Sequence, residues 1–532
     1  MTKPFRGAIA LLSAGLLGGG VVSACAANPG PPPVVEEAPS EPSATSTTTT
    51  PPPEPTERSR VAVGVDPLQA GLNPHLLADN QQVVEDIADL VLPSVFHGDR
   101  IDTDVVDSAE EVEPPEGVAQ RLRYEISSAA QWSDGTPLTS ADFSYLWEKM
   151  RSTPGVKSPA VYQAISAVHS SDGGKIVTVD LSTRVADWRV LFQHLLPAHL
   201  LEEGDASFSA ALANDIPASA GRFLVASVDN ARGMITLNRN DRYWGVEPAQ
   251  LDVVELHYMR SSQQAVNMLR TGQVGFTDIR PEQTTMESLS LVPGVDAQTQ
   301  GGLRQLRLQL STRTLADAPA RRALASLVDT DQLARLATGR SADLSVARNP
   351  VDAGADLTPL RELAENRPIR LAADPSDVPA TNAANALVDV LTSQRIPAEV
   401  VGEKMSVIAS TLLPNERADA VLGWHDLSLQ PADFADYFVC PGPENRAVGD
   451  LSGYCPEDAA AQLGRILGGE YSGEQALEQV RALNAAQTLY VPIVDETRVH
   501  AVGRGIAGPA GRPAEWSLES APTWKEGERD EE

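Results

Sequence analysis

The stretch Ala130–Arg151, AQWSDGTPLTSADFSYLWEKMR, decides how the rest of the chain is read. Its first half is turn chemistry. In Asp134-Gly135-Thr136-Pro137 the glycine supplies a positive φ and the proline fixes φ. Thr139 and Asp142 then stand three apart, the spacing of a capping box that opens a helix. Phe143, Leu146, Trp147 and Met150 follow at i, i+3, i+4 and i+7, which predicts a helix with one apolar face. Taken alone, this is a turn followed by a buried helix.

The chain has 532 residues and a formal net charge of −30, enough length for more than one core. Such acidity argues against nucleic acid as a partner, because phosphates would be repelled. It also argues against docking on an anionic bilayer by charge alone. Lys3 and Arg6 precede an uninterrupted small and apolar run, Ala8 to Ala24, the layout of an export signal. Val22-Ser23-Ala24-Cys25 resembles a bacterial lipobox. Residues 1–25 therefore read as a lipoprotein signal peptide, with Cys25 lipidated and the protein held on the extracytoplasmic face of the cell membrane. A plain secretory cut or a membrane anchor is the alternative, although the run is short and glycine-rich for a span. Residues 26–60 hold ten prolines and a Thr47–Thr50 run. They offer too little apolar surface to offset ordering entropy and read as a disordered, extended tether. Cys440 and Cys455 remain. An even remainder in an exported chain suggests a disulfide, with metal binding as the alternative, for which no neighbouring ligand set completes a site.

The folded body is expected to start near Val61. Strands are predicted at 60–66, 121–127, 175–182, 251–259, 369–374, 398–402 and 419–424, and helices at 80–92, 262–270 and 382–394. Residues 306–333 read as a strand followed by a helix, and VPIVDETRVHAVG (491–503) as a closing pair of strands. No Gly-x-Ser-x-Gly, His-Glu-x-x-His, Walker A or paired Cys-x-x-Cys motif occurs. His194 and His199 lie five apart with Pro197 between them, which does not suit a metal pair. The sequence thus assigns no catalytic residue, metal site or cofactor; Asp and Glu are abundant enough for a carboxylate pair but nothing marks one, and the chain is not expected to be an enzyme.

Several separated stretches carry a family resemblance. The string W-S-D-G-T-P-L-T-x-x-D-F (132–143) is similar to the signature of family-5 extracytoplasmic solute-binding proteins, the peptide- and nickel-binding lineage. PAHLL (197–201), PASAGRFL (217–224), GMITLNRNDRYWG (233–245) and the Arg321–Asp329 helix pattern resemble further family patterns. The resemblance implies an α/β, two-lobed periplasmic-binding-protein fold (class II, cluster C type) with an extra subdomain on lobe one. It implies lobe one at 60–95, 216–300 and 490–525, the extra subdomain at 96–215, lobe two at 301–489, and a hinge near 300 and 490.

Gly423-Trp424-His425-Asp426-Leu427-Ser428-Leu429-Gln430-Pro431 resembles the pocket segment of the family's peptide binders, which implies ligand-binding roles for Trp424, Asp426, Leu427 and Gln430. In those binders an Asp at the fifth place pairs with the peptide's ammonium, a charge that cannot be buried without a carboxylate. Here the fifth place is Leu427. Asp426 comes one place early, and on an extended strand it is expected to point to the opposite face. The acidic place before proline is the neutral Gln430. Trp424 reads either as a stacking platform for a ligand or as a core aromatic. LNPHLLADN (72–80), LVLPSVF (90–96) and PIVDETRVHAVG (492–503) are similar to a mycobacterial and corynebacterial branch of the family, a cell-envelope lipoprotein. That branch implies a small polar or glycolipid ligand, regulation of the step from phosphatidylinositol mannosides to lipomannan and lipoarabinomannan, and a polyprenol-dependent mannosyltransferase as partner. The alternative is the substrate-binding component of an oligopeptide ABC transporter, with a permease as partner.

Overall fold

Thr139 and Asp142 do what their spacing predicts. In the computed structural model, which describes residues 58–202, 206–427, 430–440, 450–509 and 515–527, the helix Ser140–Ser152 opens with a reciprocal capping box between them. Phe143, Leu146 and Met150 on its inner face are buried. Cys25, the signal segment and the tether up to residue 57 lie outside the described residues.

The Asp142 carboxylate also accepts the backbone N–H of Ala198, at 3.0 Å, and so ties PAHLL to the helix start. Ser133 and Ser219 exchange bonds, Ser133 N–H to the Ser219 carbonyl at 2.7 Å and Ser219 N–H to Ser133 Oγ at 3.1 Å. Gly221 passes so close to the helix Gln82–Val91 (α1) that a Cβ there would stand 2.3 Å from the Leu90 carbonyl oxygen. The separated sequence patterns are therefore one structural knot, in which buried polar groups satisfy one another.

After β1 (Arg60–Val65), a small antiparallel sheet is built from β2 (Val106–Val112), β3 (Gln120–Ile126), β4 (Ile165–Ser171) and β5 (Ile176–Leu181), in the order β2-β3-β5-β4. α2 (Ser140–Ser152) and α3 (Pro159–Gln163) lie within it in sequence. The large sheet adds β6 (Phe223–Asp229), β7 (Met234–Arg239), β8 (Val253–Tyr258), β9 (Phe276–Ile279), β10 (Asp296–Leu310), β11 (Ile369–Ala373), β12 (Ala398–Gly402), β13 (Ala420–Asp426) and β14 (Tyr490–Val502). Its order is β12-β11-β13-β10-β14-β9-β1-β8-β7-β6, with Ser345–Val346 pairing on β14 as the eleventh strand. β1 runs parallel to β8 and β9, and its near-continuous apolar run follows from burial on both faces.

β10 and β14 hold the two lobes together. They pair antiparallel from Asp296↔Val502 to Gln309↔Tyr490, with register slips between Gly301 and Gln305 and between Leu306 and Arg307. Beyond the first slip, Leu306, Leu308 and Leu310 share a core with Leu371, Leu387, Leu422, Val491 and Ile493. On the other side, Val499 and Ala501 pack with Leu269 and Ile279, and Val502 joins the largest core. Residues 490–502 are one continuous strand, not the expected pair, because no turn residue interrupts their pairing with β10. β10 also begins well before Leu306. Its first half is largely solvent-facing, so it lacks the apolar alternation from which a strand is read.

Among the remaining helices are α4 (Thr330–Thr338), α5 (Val378–Ser393), α6 (Pro431–Ala435) and α7 (Gly473–Gln487). Phe434 and Phe438 at and after α6, and Ala476 and Val480 of α7, join the core that contains Trp188 and Phe192. The segment around α6 is also bonded to the small-sheet region, Ser158 Oγ to Asp433 at 2.6 Å and Ala160 N–H to Asp436 at 3.0 Å. A disulfide joins Cys440 to Cys455 just beyond it.

Candidate ligand-binding site

Where these elements meet there is a cavity of about 1020 Å³, at the upper end of the range for small-ligand sites. One wall is the β10–β13 pair. Gln305 and His425 are register partners there, and Arg307 stands two residues along on the same face. Arg307 is fixed: its Nε donates to Gln305 Oε1 at 2.7 Å, its Nη1 donates to the Tyr437 hydroxyl at 2.8 Å, and its guanidinium lies 4.8 Å from the centre of the Tyr490 ring. Burial, followed by the Arg307 charge, pushes His425 down to about 3, so this imidazole is neutral at physiological pH. The floor holds Asp450, which burial raises to about 6 although Ser452 bonds it. Asp436 is raised well above the usual carboxylate range, also by burial. A smaller cavity of about 590 Å³ lies between α4 and α5, away from these groups.

Asp426 lies at the cavity's edge, although the alternation of the strand predicts that it faces away from His425's side. β13 ends at Asp426, and a terminal side chain is free of the pleat that constrains its neighbours. The carboxylate is engaged there. Asn80 Nδ2 donates to it at 2.8 Å, and Lys157 Nζ lies 3.6 Å away. Lys157 bonds Glu85 as well. Partial burial opposes ionisation of Asp426, but Lys157, Asn80 and Arg304 outweigh it and hold the group below the ordinary carboxylate range. Leu427 lines the cavity beside it. Trp424 is not among the lining residues. It is buried, its ring faces the Arg280 and Arg304 guanidiniums at 5.4 and 5.8 Å, and its Nε1 donates to Asp377 at 3.3 Å. Gln430 is exposed just before α6 and does not line the cavity. Ser428 and Leu429 lie outside the described residues.

Residues 112–362 match the model of the middle region of bacterial extracellular solute-binding proteins, family 5. The fold agrees: AppA of Bacillus subtilis, solved with a nonapeptide, superposes with a TM-score of 0.67 at 15% identity, over 88% of this chain and all of that one. Over residues 112–362 the chain is similar to solute-binding protein family 5. Two curated relatives are similar in sequence. The "Probable monoacyl phosphatidylinositol tetramannoside-binding protein LpqW" of Mycobacterium tuberculosis is 31% identical over 314 residues, 56% of this chain and 49% of that protein. The oligopeptide-binding protein OppA of Mycobacterium bovis is 30% identical over 138 residues, 24% of this chain and 23% of that protein. The chain thus matches about half the length of the first of these and less of the second.

A buried ion network underlies the crossing strands. Arg304 donates to Glu496 through Nη2 at 2.5 Å and through Nε at 3.0 Å, and bonds the Asn80 carbonyl as well. Arg498 bonds Asp278 at 2.6 Å and Asp66 at 2.9 Å. Gly302 sits under the Glu496 side chain, where a Cβ would meet Oε2 at 2.6 Å. The network links β1, β9, β10 and β14 to the loop before α1. Sequence reading missed Lys157, Asn80, Arg304, Arg307, Tyr437, Tyr490 and Glu496. Asn80 ends the LNPHLLADN stretch and Glu496 stands within PIVDETRVHAVG, so both lay in family-like segments, but nothing local marked either as an inward-facing polar group. Among the described residues no group of three or more His, Cys, Asp or Glu side chains could hold a metal ion. His194 is bonded to Asp89 and His199 to Asp134, each at 2.7 Å.

Proposed function

We propose that this protein is a non-catalytic, lipid-anchored extracytoplasmic binding protein, held on the membrane through Cys25, that takes a glycolipid or other sugar-bearing envelope ligand. Its role would be to regulate the step from phosphatidylinositol mannosides to lipomannan and lipoarabinomannan, with a polyprenol-dependent mannosyltransferase as its partner. One observation carries the reading. The carboxylate at the cavity edge, Asp426, is already held by Lys157 and Asn80, and Leu427 stands where the peptide binders carry their acid. A peptide ammonium therefore meets no free anion at that place. The likeness to LpqW, whose name speaks of a mannosylated phosphoinositide, supports the same ligand class. A clean deletion tests it: mature lipoglycan should be lost, and an unchanged lipoglycan profile rejects the reading.

A second reading is a receptor that hands oligopeptides to an ABC permease. It is favoured by the likeness to OppA and by Asp426 reaching the cavity. Calorimetric titration with a mixed peptide library decides it, since absence of heat removes it.

A further inference from the structure

We propose that Arg348 and Arg481 form an anion-docking subsite in this cavity, and that the group they take is the phosphodiester of a phosphoinositide-type ligand; the inference rests on the reading of this cavity as the ligand site.

The cavity's polar groups are asymmetric. Among the described residues every carboxylate lining it accepts a hydrogen bond from within the protein: Asp426 from Asn80, with Lys157 beside it, Asp433 from Ser158, Asp436 from Ala160 and Asp450 from Ser452. Its donors are not all spent. Arg348 and Arg481 line the cavity, and among the described residues no hydrogen bond or ion pair holds either one. Both are exposed, but their backbones are fixed. Arg348 follows a strand whose next residue, Ala347, donates its N–H to the Ile493 carbonyl at 2.9 Å. Arg481 stands on α7, which is capped by Ser472 and seated by the buried Val480 and Asn484. The Arg481 charge reaches the Tyr490 phenol, whose ring Arg307 covers from its own side.

A cavity with spare donors and engaged acceptors suits a ligand rich in acceptors. A phosphodiester presents two unesterified oxygens to the planar fork of a guanidinium, the geometry that favours arginine over lysine. Sugar hydroxyls would lie against Tyr437 and Tyr490, whose rings are 5.8 Å apart. A peptide would bring an ammonium with its carboxylate, and Asp426 at the cavity edge already has Lys157 beside it.

The test is calorimetry on the full mature chain with four probes: a mannosylated glycerophosphoinositol, the same mannoside without phosphate, inorganic phosphate and a tripeptide. The wild type should bind the phosphodiester about tenfold or more tightly than the neutral mannoside, consistent with charge-assisted bonds. R348A/R481A should erase that preference while keeping its affinity for the neutral mannoside within about twofold. Raising the salt concentration should weaken the phosphodiester and leave the neutral mannoside unchanged, a readout that needs no variant. Equal affinity for the two mannosides, or a preference that survives in R348A/R481A, overturns the subsite and leaves the cavity reading standing. Binding of the tripeptide alone overturns both. Inorganic phosphate binding as tightly as the phosphodiester would show a free-phosphate site and overturn the ligand assignment.

Discussion

Replacing Lys157 with methionine probes the contact on which the functional reading turns. The ammonium lies 3.6 Å from Asp426 Oδ2 and bonds Glu85 besides. At that separation and an effective dielectric near 20, the raw attraction to Asp426 is roughly 5 kcal/mol. The Asp426 side chain is 43% exposed, and solvent screening brings the net value of the pair down to about 1 kcal/mol. Lys157→Met should cost more than that, about 2–3 kcal/mol, because Glu85 loses its cation too. Asp426→Asn keeps the shape and an acceptor for Asn80 while removing the charge. A double-mutant cycle in urea at pH 7 should therefore give a coupling of about 1 kcal/mol. K157M should also uncover the Asp426 carboxylate, so that a tripeptide with a free amine binds K157M but neither the wild type nor K157M/D426N. A coupling within about 0.3 kcal/mol of zero, together with no gain of amine binding, would refute the claim that Lys157 occupies this carboxylate.

Glu496→Gln removes the anion between Arg304, Arg498 and Arg280 and should cost about 3–5 kcal/mol in urea unfolding, since it leaves buried cations uncompensated. In the native protein those arginines outweigh burial and keep Glu496 below its ordinary range, so its contribution is full above the unfolded-state value and lost as pH falls through the folded one. His75, only 7% exposed, is pushed down to about 3 by burial and by His194. The unfolded chain takes up that proton near 6.5 and the native chain only near 3, so stability should fall by about 1.4 kcal/mol for each unit that the pH is lowered between those values. His75→Gln should flatten that slope in pH-dependent denaturation. Gly221→Ala should destabilise by about 3 kcal/mol, because the added Cβ meets the Leu90 carbonyl at 2.3 Å, and thermal melting reads it directly.

The fold was legible where local chemistry and tertiary role coincide. Asp134-Gly135 and Thr139–Asp142 announce a turn and a cap, and the same Asp142 then fastens PAHLL, so one short string reports a long-range knot. The 262–270 helix carries an apolar face in Ala265, Val266 and Leu269, and both it and the 398–402 strand fall where the sequence predicts them. The first half of β10 does not, because solvent covers it. The site was less legible, since it depends on which distant polar groups meet. That Leu427 stands where the resemblance implies an acid could be read from the Gly423–Pro431 segment. That Asp426 would find Lys157, 269 residues earlier in the chain, could not, and neither could the burial of Trp424 beneath Arg280 and Arg304. Arg348 and Arg481 belong to no motif, and only the shared cavity brings them together.

Mass spectrometry of whatever stays bound after gentle purification of the full mature protein tests the central claim most directly. A retained mannosylated phosphoinositide is the predicted result. A mixture of oligopeptides, displaced stoichiometrically by added peptide, would contradict it.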